Sequence, residues 1–137
     1  MKKIRLYPMW ILATTIMLSM SVTNAESVDI PHAKEGKGLV VFYRDSSFKG
    51  GAIGFYLNQG QEPIGALNSG TFLYRDVEPG KQTFWSQAIS KDSIRIDVVA
   101  GNTYYIKGIV QMGLLAGRPK LTVVSEAEAK ASIAKLQ

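Results

Sequence analysis

The stretch Ser93-Ile-Arg-Ile-Asp-Val-Val99 decides the fold class of this chain. Apolar and charged side chains alternate along it, which places Ile94, Ile96 and Val98 on one face and the charged side chains on the other. This period of two predicts a β-strand whose apolar face points into a core. Ala100–Thr103 follows the strand with Gly as its first central residue, and this composition favours a tight β-hairpin turn.

The same kind of pattern continues on both sides of this stretch. Short runs rich in β-branched and aromatic residues recur about every ten residues and are separated by Gly, Pro and Asn. The predicted strands are Gly38–Arg44, Gly51–Asn58, Pro63–Leu67, Thr71–Val77, Lys81–Ala88, Ser93–Val99, Tyr104–Met112 and Lys120–Val124. Seven or eight such strands are typical of an antiparallel β-sandwich or a small barrel. We expect Trp85, in the fifth strand, to be largely buried.

After the last strand the spacing of the apolar residues changes from that of a strand to that of a helix, which predicts one C-terminal helix. Ser125-Glu-Ala-Glu128 is a capping box, in which the serine hydroxyl accepts from the amide three residues later and the glutamate reaches back. The helix is predicted over residues 126–136, with Ile133 and Leu136 packing on the sheet or across one end. A helix this short is marginal alone in water, so packing has to stabilise it.

The first 25 residues have the three parts of an export signal. Met1–Arg5 is basic, Met9–Met20 is apolar, and the small residues that follow place a cleavage site between Ala25 and Glu26. The apolar run has 12 residues, fewer than the roughly 20 that span a bilayer. We expect a Sec-type signal peptide and a periplasmic or secreted product with no stable membrane anchor after cleavage. An uncleaved N-terminal anchor is the alternative.

The rest of the chain divides into two parts. Residues 26–37 are polar and are predicted to be a flexible N-terminal segment. Residues 38–137 are predicted to form a single β-sandwich domain that ends in the helix.

Composition excludes several classes of protein. The chain has 137 residues, 16 of them Lys or Arg and 11 Asp or Glu. Three of the basic residues lie in the leader, so the basic excess belongs mostly to the leader and nucleic acid is disfavoured as a partner. Cysteine is absent, which excludes disulfide scaffolds, thiolate metal sites, cysteine nucleophiles and a lipid-modified N-terminal Cys. The protein is therefore not expected to be a lipoprotein.

Residues suited to catalysis are sparse. His32, the one histidine, lies in the polar N-terminal segment and has no second histidine or cysteine with which to hold a metal. Two Ser-x-x-Lys pairs, at residues 46–49 and 132–135, lack the companion motifs of serine enzymes. Asp76 and Glu78 flank a turn, and Asp92 and Asp97 lie on a strand that is expected to be exposed. A solvated rim is the ordinary role of such acids. We predict no catalytic, cofactor-binding or metal-binding residue, and a small hydrolase is the least favoured hypothesis.

Two features are better candidates for binding than for catalysis. The first is an apolar loop between the last two strands, and the second is a set of tyrosines that could share an outward face. The candidate interaction surface consists of Met112, Leu114, Leu115, Tyr43, Tyr56, Tyr74 and Tyr105. An exposed apolar loop can contact a partner, and tyrosines suit stacking on sugar rings or holding peptide. The alternative is that both features fill or cover the core.

Several short motifs occur in an order that resembles a known family. They are Val41–Arg44, Phe55–Asn58, Ile64–Leu67, Gly70–Phe72, Val77–Gly80, Ala100–Tyr105 and Leu121–Val124. Together they resemble the exported bacterial proteins called domain of unknown function 2846, over nearly the whole chain after the leader. The turn at Val77–Gly80 also has a looser similarity to PEGA-type envelope modules, which implies a transthyretin-like or immunoglobulin-like sandwich. Many such proteins carry a lipid-modified Cys after the leader, and this chain has none.

The resemblance implies no known catalytic residues, so the functional hypotheses concern binding. We favour a non-enzymatic interaction module of the cell envelope that holds another protein through sheet edges, the apolar loop or the tyrosines. The alternative is the binding of glycan or peptidoglycan fragments through stacked aromatic side chains. No cofactor is expected, and the identity of the partner and the oligomeric state stay open.

Overall fold

The computed structural model describes residues 29–46, 53–88, 90–112 and 117–136. Those residues contain eight strands and one helix: β1 (Gly38–Tyr43), β2 (Phe55–Gln59), β3 (Glu62–Leu67), β4 (Phe72–Val77), β5 (Gly80–Gln87), β6 (Lys91–Val98), β7 (Thr103–Met112), β8 (Gly117–Val124) and α1 (Glu126–Ile133). The prediction of a mainly β sandwich of seven or eight strands with one C-terminal helix is confirmed. The leader and its cleavage site at Ala25 and Glu26 lie outside the described residues.

The strands form two four-stranded sheets. Sheet 1 has the order β4-β1-β7-β8, and sheet 2 has the order β3-β2-β5-β6. Within the described ranges every strand pairing is antiparallel except that of β1 with β7, where Leu39 lies opposite Thr103 in parallel register. This pair departs from the antiparallel prediction, because alternation of side chains carries no information about strand direction. The order also differs from the immunoglobulin arrangement, in which the first two strands share a sheet.

The turn at Ala100–Thr103 corrects the hairpin prediction. Gly101 adopts a φ of 86°, and the amide of Asn102 donates to the carbonyl of Val99 at 3.2 Å, so the chain does reverse there. The flanking strands β6 and β7, however, belong to different sheets. Turn residues specify a reversal of direction, whereas the pairing of the flanking strands is decided by which sheet each one joins.

The apolar faces of the two sheets meet in an inner core. Its buried members are Val40, Phe42, Phe55, Leu57, Leu67, Val77, Phe84, Ile96, Val98, Ile106 and Leu121. Phe42 of sheet 1 and Phe84 of sheet 2 meet edge to face, with ring centroids 5.3 Å apart. Ile96 and Val98 lie in this core and Ile94 packs against it, which confirms the predicted inward face of β6.

Helix α1 covers the outer face of sheet 1 and creates a second cluster, the outer core. Its buried members are Leu39, Val41, Tyr43, Tyr105, Ala129 and Ile133. The Ser125 hydroxyl accepts from the Glu128 amide at 3.2 Å, as the capping box predicts. The helix ends at Ile133 rather than at residue 136, although Leu136 still packs against the outer core. Ile30 and Ala33, from the segment predicted to be flexible, pack there as well.

Candidate functional site

The four tyrosines of the predicted outward face do not share a surface. Tyr43 and Tyr105 are 0% and 4% exposed and belong to the outer core, so their assignment to an exposed surface is wrong. They lie on the face of sheet 1 that α1 covers. Alternation along a strand shows which side chains share a face, but it does not show which face a distant helix covers.

The other two tyrosines are exposed but lie on opposite sides of the sandwich. Tyr56 is 66% exposed and belongs to β2 of sheet 2. Tyr74 is 49% exposed and lies opposite Val41, on the face of sheet 1 that carries α1. Tyr56 and Tyr74 therefore cannot bind one ligand together.

The apolar loop between β7 and β8 falls on residues that the structure does not describe. Strand β7 ends at Met112 and β8 begins at Gly117. Leu114, Leu115 and the side chain of Met112 lie outside the described part of the chain. Their role in an interaction surface stays a prediction.

The outer face of sheet 2 brings aromatic and polar side chains together in two cross-strand rows. In the first row Tyr56 lies opposite Gln87, which lies opposite Lys91. In the second row Asn58, Trp85 and Ser93 are registered in the same way across β2, β5 and β6. We call these six side chains the aromatic face. Tyr56 and Trp85 are diagonal neighbours on it, within reach of each other for aromatic side chains.

Trp85 is the centre of the aromatic face. Its indole Nε1 donates to the carbonyl of Gly60 at 2.7 Å, which holds the ring towards the turn between β2 and β3. The ammonium of Lys91 lies 4.8 Å from the centre of the indole. Trp85 is partly buried, but it lies outside the inner core, because its neighbours Phe84 and Ser86 take the inward positions of β5.

The aromatic face borders a shallow depression of about 540 Å³. Ile53, Gly54 and Ala88 complete its lining beside Tyr56 and Trp85. The volume is within the range of small-molecule sites, which is roughly 300–1,000 Å³. An open depression of this kind can receive a flat ring or a chain of rings lying along the sheet, but it does not enclose a small molecule.

A second depression, of about 340 Å³, is lined by Arg44, Asp45, Lys107 and their neighbours, and its charged groups have structural partners. Arg44 is 3% exposed, and its Nη1 donates to the carbonyls of Ile53 at 2.6 Å and Leu67 at 2.9 Å. The guanidinium also stacks 4.3 Å from the centre of the Phe55 ring. Burial lowers the pKa of Arg44. The sequence does not predict that Arg44 is buried and bonded to two carbonyls, because in the sequence it is only the polar residue at the end of a predicted strand.

Lys107 connects sheet 1 to the start of α1. Its ammonium lies 2.8 Å from Asp45 and 4.0 Å from Glu128. The hydrogen bond to Asp45 raises the pKa of Lys107, and burial opposes the shift. Burial raises the pKa of the neighbouring Tyr43, and Ser132 and Lys107 partly offset it. The Tyr43 hydroxyl is buried, and no described group meets it with hydrogen-bond geometry.

Two of the acids considered for hydrolysis, Asp76 and Glu78, lie in a wide polar groove of about 770 Å³ and are paired with cations, whereas Asp92 of β6 accepts from the Leu121 amide. Glu78 lies 3.2 Å from Lys37, and Asp76 lies 3.7 Å from Lys34. Each of these two carboxylates therefore has a lysine partner at the edge of the groove. Among the residues that the structure describes, no group of three or more His, Asp or Glu gathers where it could hold a metal ion.

Comparison with known proteins places the chain in a family. The family model described as "Protein of unknown function (DUF2846)" matches residues 34–122. This chain belongs to that family. The matched range contains the aromatic face and runs from just before β1 to within β8, and the earlier resemblance to the DUF2846 family is thereby confirmed. The similarity to PEGA-type modules has no support from this comparison and stays a prediction.

A relative from Haemophilus influenzae (strain ATCC 51907 / DSM 11121 / KW20 / Rd) is described as "Uncharacterized protein". It is 30% identical over 125 residues, which cover 90% of this chain and 73% of the relative. In the described ranges, no helix combines the length and apolar character needed to cross a bilayer.

Proposed function

We propose that this protein is an exported, non-enzymatic binding module of the cell envelope and that the aromatic face binds a saccharide. Export rests on the leader, whose basic, apolar and small-residue parts match a Sec-type signal. The observation that carries the binding proposal is that the exposed Tyr56 and the partly buried Trp85 line one depression on an open sheet face, both outside the inner core. Aromatic rings present an apolar surface on which the C–H face of a sugar ring can stack.

The polar members of the aromatic face support the same ligand class. Asn58, Gln87 and Ser93 stand beside the two rings and supply amide and hydroxyl groups. Such groups can both donate and accept hydrogen bonds, as sugar hydroxyls do. A ring that stacks on Trp85 would therefore find partners for its equatorial hydroxyls in the same plane.

Binding of another protein through a sheet edge, which the sequence favours, has weaker support. The carboxylate of Asp92 accepts from the Leu121 amide at 2.7 Å and occupies one backbone donor of edge strand β8. Pro119 in β8 and Pro63 in edge strand β3 each remove a further donor. Both devices discourage the addition of a strand from another chain.

The proposal is tested by binding to immobilised glycans and by sedimentation with peptidoglycan. Trp85→Ala and Tyr56→Ala should each weaken saccharide binding by about twofold to tenfold, because an aromatic contact contributes about 0.5–1.5 kcal/mol. Tyr74→Ala is the matched control, since it removes an exposed tyrosine from the opposite side of the sandwich and should leave affinity unchanged. Absence of saccharide binding, or an equal loss in all three variants, would reject the proposal.

A further inference from the structure

We infer that the saccharide is anionic and that Lys91 leaves the indole of Trp85 to pair with a sugar carboxylate. This inference rests on the proposed function, because it concerns the same aromatic face. It adds the charge of the ligand and a residue that selects for it, which the aromatic side chains alone do not specify.

The outer face of sheet 2 carries more basic than acidic side chains on β5 and β6. Lys81, Lys91 and Arg95 occupy outward positions on β5 and β6, where Asp97 is the accompanying acid. Lys81 lies directly opposite Asp97 in the register. Three basic side chains against one acid leave an excess of positive charge on the face that carries the two aromatic rings, which favours an anionic ligand.

Several cations elsewhere in the fold have a carboxylate partner, whereas Lys91 and Arg95 have none in the ranges that the structure describes. Lys34, Lys37, Arg75, Lys107 and Lys130 each have a carboxylate within 4.0 Å. Among the described residues, no carboxylate lies within that distance of Lys91 or Arg95. In the described part of the chain Lys81, Arg118, Lys120 and Lys135 likewise have no carboxylate within that distance, so Lys91 is distinguished by its position at the indole of Trp85 and not by the lack of a counter-ion alone.

The position of Lys91 explains how this residue would select an anionic sugar over a neutral one. Its ammonium lies 4.8 Å from the indole centre, a cation–π contact that is weak when the cation is exposed, as this lysine is. While it stays there it covers part of the ring on which a sugar would stack. Rotation of the flexible lysine stem uncovers the ring and, in the same movement, brings the ammonium to the rim of the depression. An anionic sugar gains from both changes, whereas a neutral sugar displaces the cation without gaining an ion pair.

The test compares two ligands with the same sugar backbone, one charged and one in which methyl esters remove the charge. The full chain carrying Trp10→Phe has Trp85 as its one tryptophan, so indole fluorescence reports on the site directly. Oligogalacturonate and the same oligomer with its carboxylates as methyl esters are titrated at 50 mM and 500 mM salt. We expect the acid form to bind about threefold to tenfold more tightly at low salt and the difference to shrink at high salt, because exposed ion pairs are screened.

Variants assign this selectivity to Lys91. Lys91→Gln should abolish most of the preference for the acid form and leave the affinity for the ester unchanged or slightly higher, since the cover of the ring is removed. Lys135→Gln is the matched control: it removes the same charge from an exposed position just after α1, on the other side of the sandwich, and should keep the preference. Thermal unfolding of each variant verifies that the fold is intact.

The possible results test the charge of the ligand, the role of Lys91 and the proposed function separately. Equal, Trp85-dependent binding of acid and ester rejects the anionic ligand and leaves the proposed function in place. An equal loss for both ligands in Lys91→Gln means that the lysine only supports the ring, and this rejects its role in selection. Failure of both oligomers to bind, or binding that is insensitive to Trp85→Ala, rejects the inference and counts against the proposed function as well.

Discussion

The carboxylate of Asp92 accepts a hydrogen bond from the backbone amide of Leu121 at 2.7 Å. Asp92 belongs to β6, the edge of sheet 2, and Leu121 belongs to β8, the edge of sheet 1. The contact therefore closes one side of the sandwich with a side chain in place of a backbone ladder. It also occupies a donor that would otherwise be open to an added strand.

Asp92→Ala should lower the free energy of unfolding by about 1–3 kcal/mol, because a partly buried amide loses a charged acceptor. Urea denaturation followed by circular dichroism measures the change. Asp97→Ala is the matched control, since it removes an exposed acid of the same strand and should stay within about 0.5 kcal/mol of the parent. Equal effects in the two variants would mean that the Asp92 contact contributes nothing of its own.

Arg44→Lys should destabilise the fold by about 2–3 kcal/mol although it keeps the charge. The guanidinium holds two carbonyls with one nitrogen and stacks on Phe55, and an ammonium on a flexible stem reproduces neither geometry. The same denaturation experiment applies, with the exposed Arg95→Lys as control. A loss below about 0.5 kcal/mol in Arg44→Lys would show that charge without geometry suffices.

Tyr43→Phe should leave stability unchanged or raise it by up to about 1 kcal/mol. No group in the described part of the chain meets the buried hydroxyl with hydrogen-bond geometry, so its removal relieves a desolvation penalty and keeps the ring in the outer core. Differential scanning calorimetry of Tyr43→Phe and Ser132→Ala tests this. If both variants lose similar stability, the hydroxyl of Tyr43 is bound to that of Ser132 in solution and the expectation is wrong.

Stability should fall as the pH rises above about 10. Burial raises the pKa values of Tyr43 and Tyr105 in the folded state, and the bond to Asp45 raises that of Lys107. A raised folded pKa contributes stability that is fully present below the unfolded value, about 10 for these residue types, and that is lost as the pH passes through the folded value. Melting temperatures between pH 7 and 11.5 should decline at the alkaline end, and the decline should be smaller in Tyr105→Phe. A flat curve in both proteins would contradict the expectation.

Gly38→Ala should destabilise the protein by about 1–3 kcal/mol through overpacking. A Cβ at this position would overlap Cγ1 of Val98, a branched side chain held in the inner core. Gly54→Ala is the control, because among the described residues its Cβ would meet Asn68 Oδ1 alone, at 3.4 Å. Chemical denaturation that ranks the two variants equally would show that Val98 moves aside without cost.

Local patterns in the chain were sufficient to predict the elements of the fold. The alternation in β6 places Ile96 and Val98 inward whatever the other strands do, because successive side chains of a strand point to opposite faces. The capping box at Ser125 likewise predicts the start of α1, since its partner lies three residues away. The ends of most strands can be predicted in the same way, because the turn residues that end a strand are its neighbours in the sequence.

Contacts between distant parts of the chain decided the rest, including the site. Tyr43 and Tyr56 have similar neighbours in the sequence, yet α1 covers Tyr43 and leaves Tyr56 exposed. The helix begins more than 80 residues after Tyr43, so the residues around each tyrosine do not show which of them it will cover. Trp85 and Lys91 become neighbours only when β5 and β6 pair in one particular register. Side-chain period is a property of a strand and can be read locally, whereas the choice of covered face and strand partner depends on the total apolar area that the assembled sheets bury.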